Sequence, residues 1–492
     1  MKPLRFACGI GMPLLLSACA LTPPPPGVEA ATPSQWQAPA PAPKGPDAEN
    51  AASLPHHGTL TDLSQWWQQQ NDPLLVELID AAQAVSPTVA DAVSRIAQSR
   101  ATSVSADAAL LPKLDGTITS SRTNMQPPLP LSTITQADLQ PSWEADLFGG
   151  NRDTSRAALA RLRGAQANWH DARVSVAAEV ANRYYSLRTC DKLVTVTQQD
   201  ADSREETARL SDLSAKAGFQ APATAALARA SAAEARGRVT QQRASCDLDV
   251  KALVQLTAMD EATLRTKMAT STPPLTQPIV IDSLPARVLL QRPDVFIAEQ
   301  EVAAASAEVG NAQAARYPRL TLSGSIGAAR YHSAGTTTDL QTWSIGPITL
   351  SLPLFDGGAR AANVDAAEAR YGSAVSAYRG TVRQAVREVE EALVNLQSTA
   401  SRTEDAHAAV QGYRAAYEGT ESLYRNGMSS LLDLEDARRT RLASELNAVT
   451  LERERMSAWI ALYRAAGGGW RNPNAERTAS ATAIRPISSD SE

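Results

Sequence analysis

The sequence predicts an α+β membrane protein in which β-hairpins of transmembrane length alternate with very long antiparallel helices. Three observations predict it. The stretch from Tyr317 to Gly358, YPRLTLSGSIGAARYHSAGTTTDLQTWSIGPITLSLPLFDGG, carries the period-two alternation of strands. After Asn151 no strong helix breaker occurs before Ala217-Gly218, which leaves room for a helix of about 65 residues, ~100 Å at 1.5 Å per residue. Finally, the whole plan occurs twice. Pro87, Pro112, Leu147 and Gly218 match Pro293, Pro318, Leu354 and Gly427 at offsets of 206, 206, 207 and 209 residues. So steady an offset reads as internal duplication of a helix, hairpin, long helix and helix.

The 492 residues carry a formal net charge of −5, which gives a nucleic-acid role no electrostatic support. Aromatic residues make up only 5%, as suits long helices meeting through small side chains. No apolar run of 18 or more residues follows the N-terminal segment, so no transmembrane helix is expected. Residues 1–18 read as a secretion signal: Lys2 and Arg5 supply its positive end, and Phe6 to Leu16 its short apolar segment. It runs into Leu16-Ser17-Ala18-Cys19, which resembles a bacterial lipoprotein signal. That resemblance implies a lipidated, palmitate-bearing Cys19, and Ala20 after it implies the outer membrane. Residues 19–60 form a proline-rich tether.

The first repeat, 61–280, begins near Trp66-Trp67 and contains an alanine-rich helix over Ala81–Ala109. Its hairpin, 114–147, has arms LDGTITSSRTN and ADLQPSWEADLFGG around MQPPLPLSTITQ. A helix returns from about Pro222 to Thr257, and a proline-rich joint follows near Thr272 to Pro285. The second repeat, 281–468, holds the hairpin 319–355. Leu320, Leu322, Ile326 and Ala328 share one face of its first arm; Thr321, Ser323 and Ser325 share the other. HSAGTTTD reads as the turn. On the return arm Trp343 and Ile345 are out of phase with Ile348, Leu350, Leu352 and Leu354, a slip at Gly346-Pro347 as at a β-bulge. On alternation alone, a half-buried hairpin of a water-soluble sandwich fits equally well. Helical seams follow from Val364 to Leu396 and from Leu442 to Tyr463. Residues 469–492 read as a polar, flexible tail.

Cys190 and Cys246 each lie 28 residues from Gly218. In a helical hairpin folded at that glycine they fall opposite one another, which predicts a disulfide in an oxidising compartment. No GxSxG, GxxxxGK[ST], HExxH or CxxC occurs. The five histidines are scattered, so no catalytic, cofactor or metal site is expected.

The motifs SRIAQSRA, LPKL, RPDVFIAEQEVAAASAEVGNAQAARYPRLTLSGSIG, LSLPLFDGG and YRNGMSSLLDLEDARR, in this order behind a lipoprotein signal, resemble the TolC family of outer-membrane efflux proteins, nearest its lipidated OprM/NodT branch. The resemblance covers Trp66 to Trp470. It implies a homotrimer whose twelve strands, four per chain, close a transmembrane β-barrel above an α-helical barrel in the periplasm. It also implies a periplasmic adaptor and an inner-membrane pump as partners, with small-molecule efflux as the function. Four strands alone cannot close, which makes trimerisation physically sensible. A type I protein-secretion duct of the same fold, or a periplasmic coiled-coil scaffold without a pore, are the alternatives.

By the same resemblance the turns at Gly218 and Gly427 form a periplasmic tip, and Leu432 is a hydrophobic constriction. Tyr424, Asp436 and Arg439 are then the polar network that holds it shut. The plainer alternative is a solvated helix start, with Asp433, Glu435 and Asp436 favouring an N-terminus. The first repeat departs from the pattern: Thr224 and Leu227 stand where the second has Asp433 and Asp436.

Overall fold

The computed structural model describes residues 21–32, 36–38, 66–69, 72–124, 130–271, 289 and 291–470. The signal segment with Cys19, most of the tether, the proline-rich joint and the tail beyond 470 lie outside the described residues. The elements are α1 (Trp66–Gln69), α2 (Pro73–Val85), α3 (Pro87–Ala108), β1 (Lys113–Thr123), β2 (Ser132–Ala145), α4 (Gly150–Lys216), α5 (Pro222–Thr257) and α6 (Glu261–Thr270). They continue with α7 (Pro293–Ala314), β3 (Arg319–Ser333), β4 (Thr336–Ser351), α8 (Ala359–Arg425) and α9 (Leu431–Ala465). The chain divides into two compact units. One takes in Val93–Ala167 and Phe296–Gly380 with the segment ending at Ala30. The other takes in Ala31–Ala92, Asn168–Val295 and the chain from Thr381.

In the first unit the four strands form one antiparallel sheet in the order β1-β2-β3-β4. Its register sorts the side chains. Leu114, Ile118, Leu139, Trp143, Leu320, Leu322 and Ile326 fall on one face, and Thr117, Gln136, Gln140, Glu144, Thr321 and Ser325 on the other. On β4 the pairs Leu322↔Ile348 and Gly324↔Ile345 set Gly346 and Pro347 opposite the single residue Ser323. This bulge reverses the phase of the strand. Trp343 and Ile345 therefore join Ile348 and Leu350 on the apolar face, although the sequence alternation alone separates them.

Several boundaries differ from the sequence expectation. The second hairpin turns on two residues only, Ala334 at φ 50° and Gly335 at φ 79°, rather than on HSAGTTTD. Two consecutive positive φ values make the tight turn that matches strand twist, so His332 and Thr336 to Asp339 become strand. In the first hairpin Ser132 and the β-branched run Thr133 to Thr135 likewise belong to β2. Asp146 alternates with Glu144 in the sequence and is expected with it on the polar strand face, but it does not line that face. It lies past β2 and accepts from the backbone N–H groups of Asn151 (3.1 Å) and Arg152 (3.0 Å) at the start of α4. The single helix expected over Ala81–Ala109 breaks at Ser86, whose ψ of 122° is what the following Pro87 favours. Helix α6, not expected from the sequence, starts at Asp260, whose carboxylate accepts from Thr263 N–H at 3.0 Å.

Small residues let the helices of this unit approach closely. Ala157 and Ala160 of α4 pack on Ala304 and Ala307 of α7. A Cβ at Gly310 would lie 2.2 Å from the Asp153 carboxylate, so only glycine fits there. The tether runs over the same helices. Pro24 C=O accepts from Ser306 Oγ, and Pro25 C=O from Tyr371 Oη at 3.0 Å.

In the second unit Trp66 and Trp67 pack on Tyr463, with ring centroids 5.6 and 4.8 Å away. Burial pushes the Tyr463 hydroxyl up to about 12. Asp72 caps α2 and also accepts from Tyr184 Oη at 2.6 Å. Arg292 is buried, bonds Asp294 and Glu388 at 2.6 and 2.7 Å, and donates to Ala465 C=O at 3.0 Å. Cys190 of α4 and Cys246 of α5 are joined by a disulfide, Cα–Cα 5.5 Å, and both are buried. Replacing Cys246 by Ser is expected to lower stability by ~2–4 kcal/mol and to free one thiol, that of Cys190. A thiol titration of the unreduced protein with a parallel denaturant curve checks both.

Candidate functional site

Two places carry the chemistry: the faces of the sheet, and the region of the two helix-to-helix turns. The apolar face of the sheet is uncovered in the chain. Ile118, Ile326, Trp343, Ile348 and Leu350 are exposed, and Ile345 is 91% exposed. From Leu320 to Ala328 the apolar stripe of β3 runs about 26 Å along the strand. Beyond it the same face turns polar, with Arg330 paired to Asp339 at 2.7 Å. The opposite face is polar throughout the stripe, and hydroxyls pair across it, as Ser325 does with Ser344 at 2.9 Å. A sheet apolar on its exposed face and polar on the other suits a boundary between lipid and water. β1 and β4 are its two edges, and among the described residues neither has a strand paired on its outer side.

Both helix turns close in the same way. Phe219 N–H donates to Ser214 C=O at 2.9 Å, and Gly218 N–H to Ala215 C=O at 3.1 Å. Met428 N–H donates to Leu423 C=O at 2.8 Å, and Gly427 N–H to Tyr424 C=O at 3.0 Å. This is a glycine C-cap, and the φ of +78° at Gly218 and +73° at Gly427 require glycine. The helices that follow start differently. Ser430 and Asp433 form a reciprocal capping box before α9. Ser430 Oγ and backbone N–H, both donating to the Asp433 carboxylate, hold its pKa below the ordinary value. α5 has Pro222 in its first turn and no side-chain cap.

Leu432 is 69% exposed beside this cap, and Phe219 and Met428 are exposed as well. Asp436 and Arg439 are ion-paired at 2.5 Å on an exposed helix surface. Tyr424 does not join them within one chain. Its hydroxyl lies 3.3 Å from Ser211 Oγ of α4, and its ring packs on the cluster of Ala208, Ala228, Ala232, Tyr417, Leu431 and Leu434. The trio expected from the sequence is therefore divided, because Tyr424 ends α8 with its side chain turned onto α4.

Between the same helices lies a buried polar network that the sequence reading missed. Arg438 of α9 is 1% exposed. It donates to Glu435 at 2.9 Å, to Ser203 C=O at 3.1 Å and to Thr207 Oγ1 at 2.6 Å. Glu435 in turn pairs with Arg204 of α4 and accepts from Ser231 Oγ of α5 at 2.7 Å. Arg204 also holds Asp200 at 2.9 Å. Tyr417 of α8 completes the set under Arg441, whose guanidinium is 4.1 Å from the ring centroid. Four helices are thus tied through charged groups. The signal was the i,i+3 pair Glu435/Arg438 and the i,i+4 pair Asp200/Arg204, which in sequence look like solvated helix faces.

Comparison with known proteins extends this picture. The family model described as outer membrane efflux protein matches residues 78–259 and 284–468. The chain is 30% identical to the outer membrane protein OprJ of Pseudomonas aeruginosa, covering 86% of this chain and 90% of OprJ. It is 28% identical to the toluene efflux pump outer membrane protein TtgI of Pseudomonas putida, covering 81% and 86%. The solved structure of the outer-membrane channel OprN superposes with a TM-score of 0.78 at 25% identity, covering 90% of this chain and 99% of that one.

Replacing Glu435 by Ala strands two buried guanidiniums and is expected to destabilise the protein by ~3–5 kcal/mol. Replacing the neighbouring Asp436, exposed and paired at the surface, is expected to change stability by less than ~1 kcal/mol. Thermal unfolding of the two variants side by side checks the contrast.

Proposed function

Because the chain belongs to the outer membrane efflux protein family, we propose that it is the passive exit duct of a tripartite efflux system. It works as a homotrimer with a periplasmic adaptor and an inner-membrane pump, and it exports small molecules across the outer membrane. The observation that carries this reading is the four-stranded sheet with one apolar face and two unpaired edges. Unpaired backbone N–H and C=O groups are not tolerated in the hydrocarbon layer. Three copies, joined β4 to β1, give a closed twelve-stranded barrel with its polar face around water. Two copies of the helix–hairpin–helix unit in each chain then supply the helices of a periplasmic tube. A lipid on Cys19, palmitate included, adds a second hold on the membrane.

The energy for transport comes from the pump, since a duct of this kind only needs to open and close. In this reading Leu432 narrows the lumen at the periplasmic end. Asp436 and Arg439 lie where a docking adaptor exchanges charge pairs, and Tyr424 holds α8 against α4. The Gly218 and Gly427 turns form the rim that meets the adaptor. Efflux of apolar organic compounds is the favoured activity, in line with the toluene-efflux name of TtgI. No catalytic role is proposed.

A strain lacking the protein is expected to become hypersensitive to toluene and to hydrophobic antibiotics, and the purified protein to carry discrete single-channel currents in planar bilayers. Leu432→Ser combined with Asp436→Ala is expected to raise the conductance several-fold. A lysine at Ile326, on the apolar face, costs ~2–4 kcal/mol in lipid and is expected to abolish outer-membrane assembly, whereas Ser325→Lys on the polar face is tolerated. Wild-type resistance in the deletion strain together with silent bilayers contradicts the reading.

A further inference from the structure

Below the sheet, within the first unit, a cavity of about 660 Å³ is lined by Arg161, Arg319, Arg360 and Arg370 with Glu308 as its one lining carboxylate. Four arginines around one acid is a strong bias in a chain whose net charge is −5. The partners around the cavity do not remove it. Arg161 bonds Glu301 at 3.0 Å and Glu308 at 2.7 Å. Arg370 reaches the already engaged Glu308 only at 3.9 Å. Arg360 pairs with Asp356 at 2.8 Å. Arg319 has no ion pair among the described residues. Around the cavity four guanidiniums thus meet three carboxylates, and the excess sits on Arg319 and Arg370; on its other side Arg319 borders a smaller pocket with Glu144 and with Asp146, which Arg152 holds.

The side on which the cavity opens follows from register. Arg319 pairs with Ser351 and precedes Leu320, so it belongs to the polar face of the sheet. On α7, Ser306 and Gly310 face the tether at Pro24 and Pro23. Glu308, Asn311 and Ala315, which line the cavity, lie on another side of that helix. On α7 the cavity therefore lies away from the tether contacts, and through Arg319 it adjoins the polar face of the sheet.

We propose that this cavity is an oxyanion-binding site on the wall of the duct. It takes the carboxylate, sulfate or phosphate group of an anionic solute through Arg319 and Arg370, with the Asn363 amide as a further donor. Guanidinium forks match planar and tetrahedral oxyanions, and a fixed positive charge beside a water-filled passage raises the local concentration of anions. Three copies in a trimer form a basic belt. The proposal rests on the duct reading for its place in transport, though not for the binding itself.

The test uses the purified, detergent-solubilised protein with citrate as the probe, read by calorimetry and by block of single-channel current. Arg319→Ala/Arg370→Ala is expected to weaken citrate binding roughly tenfold and to lose the block. The Lys/Lys double variant retains part of both, and Glu308→Gln tightens binding. No binding to the wild type, or equal binding to the wild type and the Ala/Ala variant, overturns the proposal. Citrate binding that follows this order, without current in any variant, supports the site and instead contradicts the duct.

Discussion

One constraint organises this protein: a sheet edge cannot lie open in hydrocarbon. Among the described residues each chain provides the four strands β1-β2-β3-β4, which leaves one edge at each end. In water such edges are blunted with charge, bulges or proline, and β4 does carry a bulge at Gly346-Pro347. Here β1 keeps Leu114 and Ile118 exposed and β4 keeps Trp343, Ile345, Ile348 and Leu350 exposed, which is the wrong surface for a soluble edge and the right one for a barrel wall. The bulge at Gly346-Pro347 serves the same constraint. Without it, half of β4 would present its apolar residues to the water side.

The helices solve a different problem. A helix of 67 residues cannot be held by one hydrophobic core, so contacts are spread along narrow seams of alanine and valine. Where the seam must be specific, charged groups take over. The Arg204–Glu435–Arg438 network at the turns and Arg292 with Asp294 and Glu388 are both buried. Buried ions give less net stability than apolar packing of the same volume, but losing one member is costly. Such groups fix which helix faces meet.

Much of this was legible in the sequence, for identifiable reasons. The repeat offset, the alternation in β1 to β4, the long helices and the turn glycines are all local or periodic signals. What the sequence hid was non-local. The two phases of β4 become one face only through the register with β3. Asp146 alternates like a strand residue yet caps a helix. The family resemblance makes Tyr424 a partner of Asp436 and Arg439, but within one chain its ring packs toward α4 and its hydroxyl meets Ser211. Arg438 looks like one more surface arginine on a charged helix and is the bulkiest of the fully buried side chains among the described residues. The basic cavity is assembled from α4, α7, β3 and α8, which no single stretch of sequence displays.

The closure of sheets from separate chains is the claim beneath all of this, and native mass spectrometry of the protein released from detergent tests it most directly. The account predicts a single species of three chains that persists until the sheet melts. A stable species of one chain retaining full β content would contradict it.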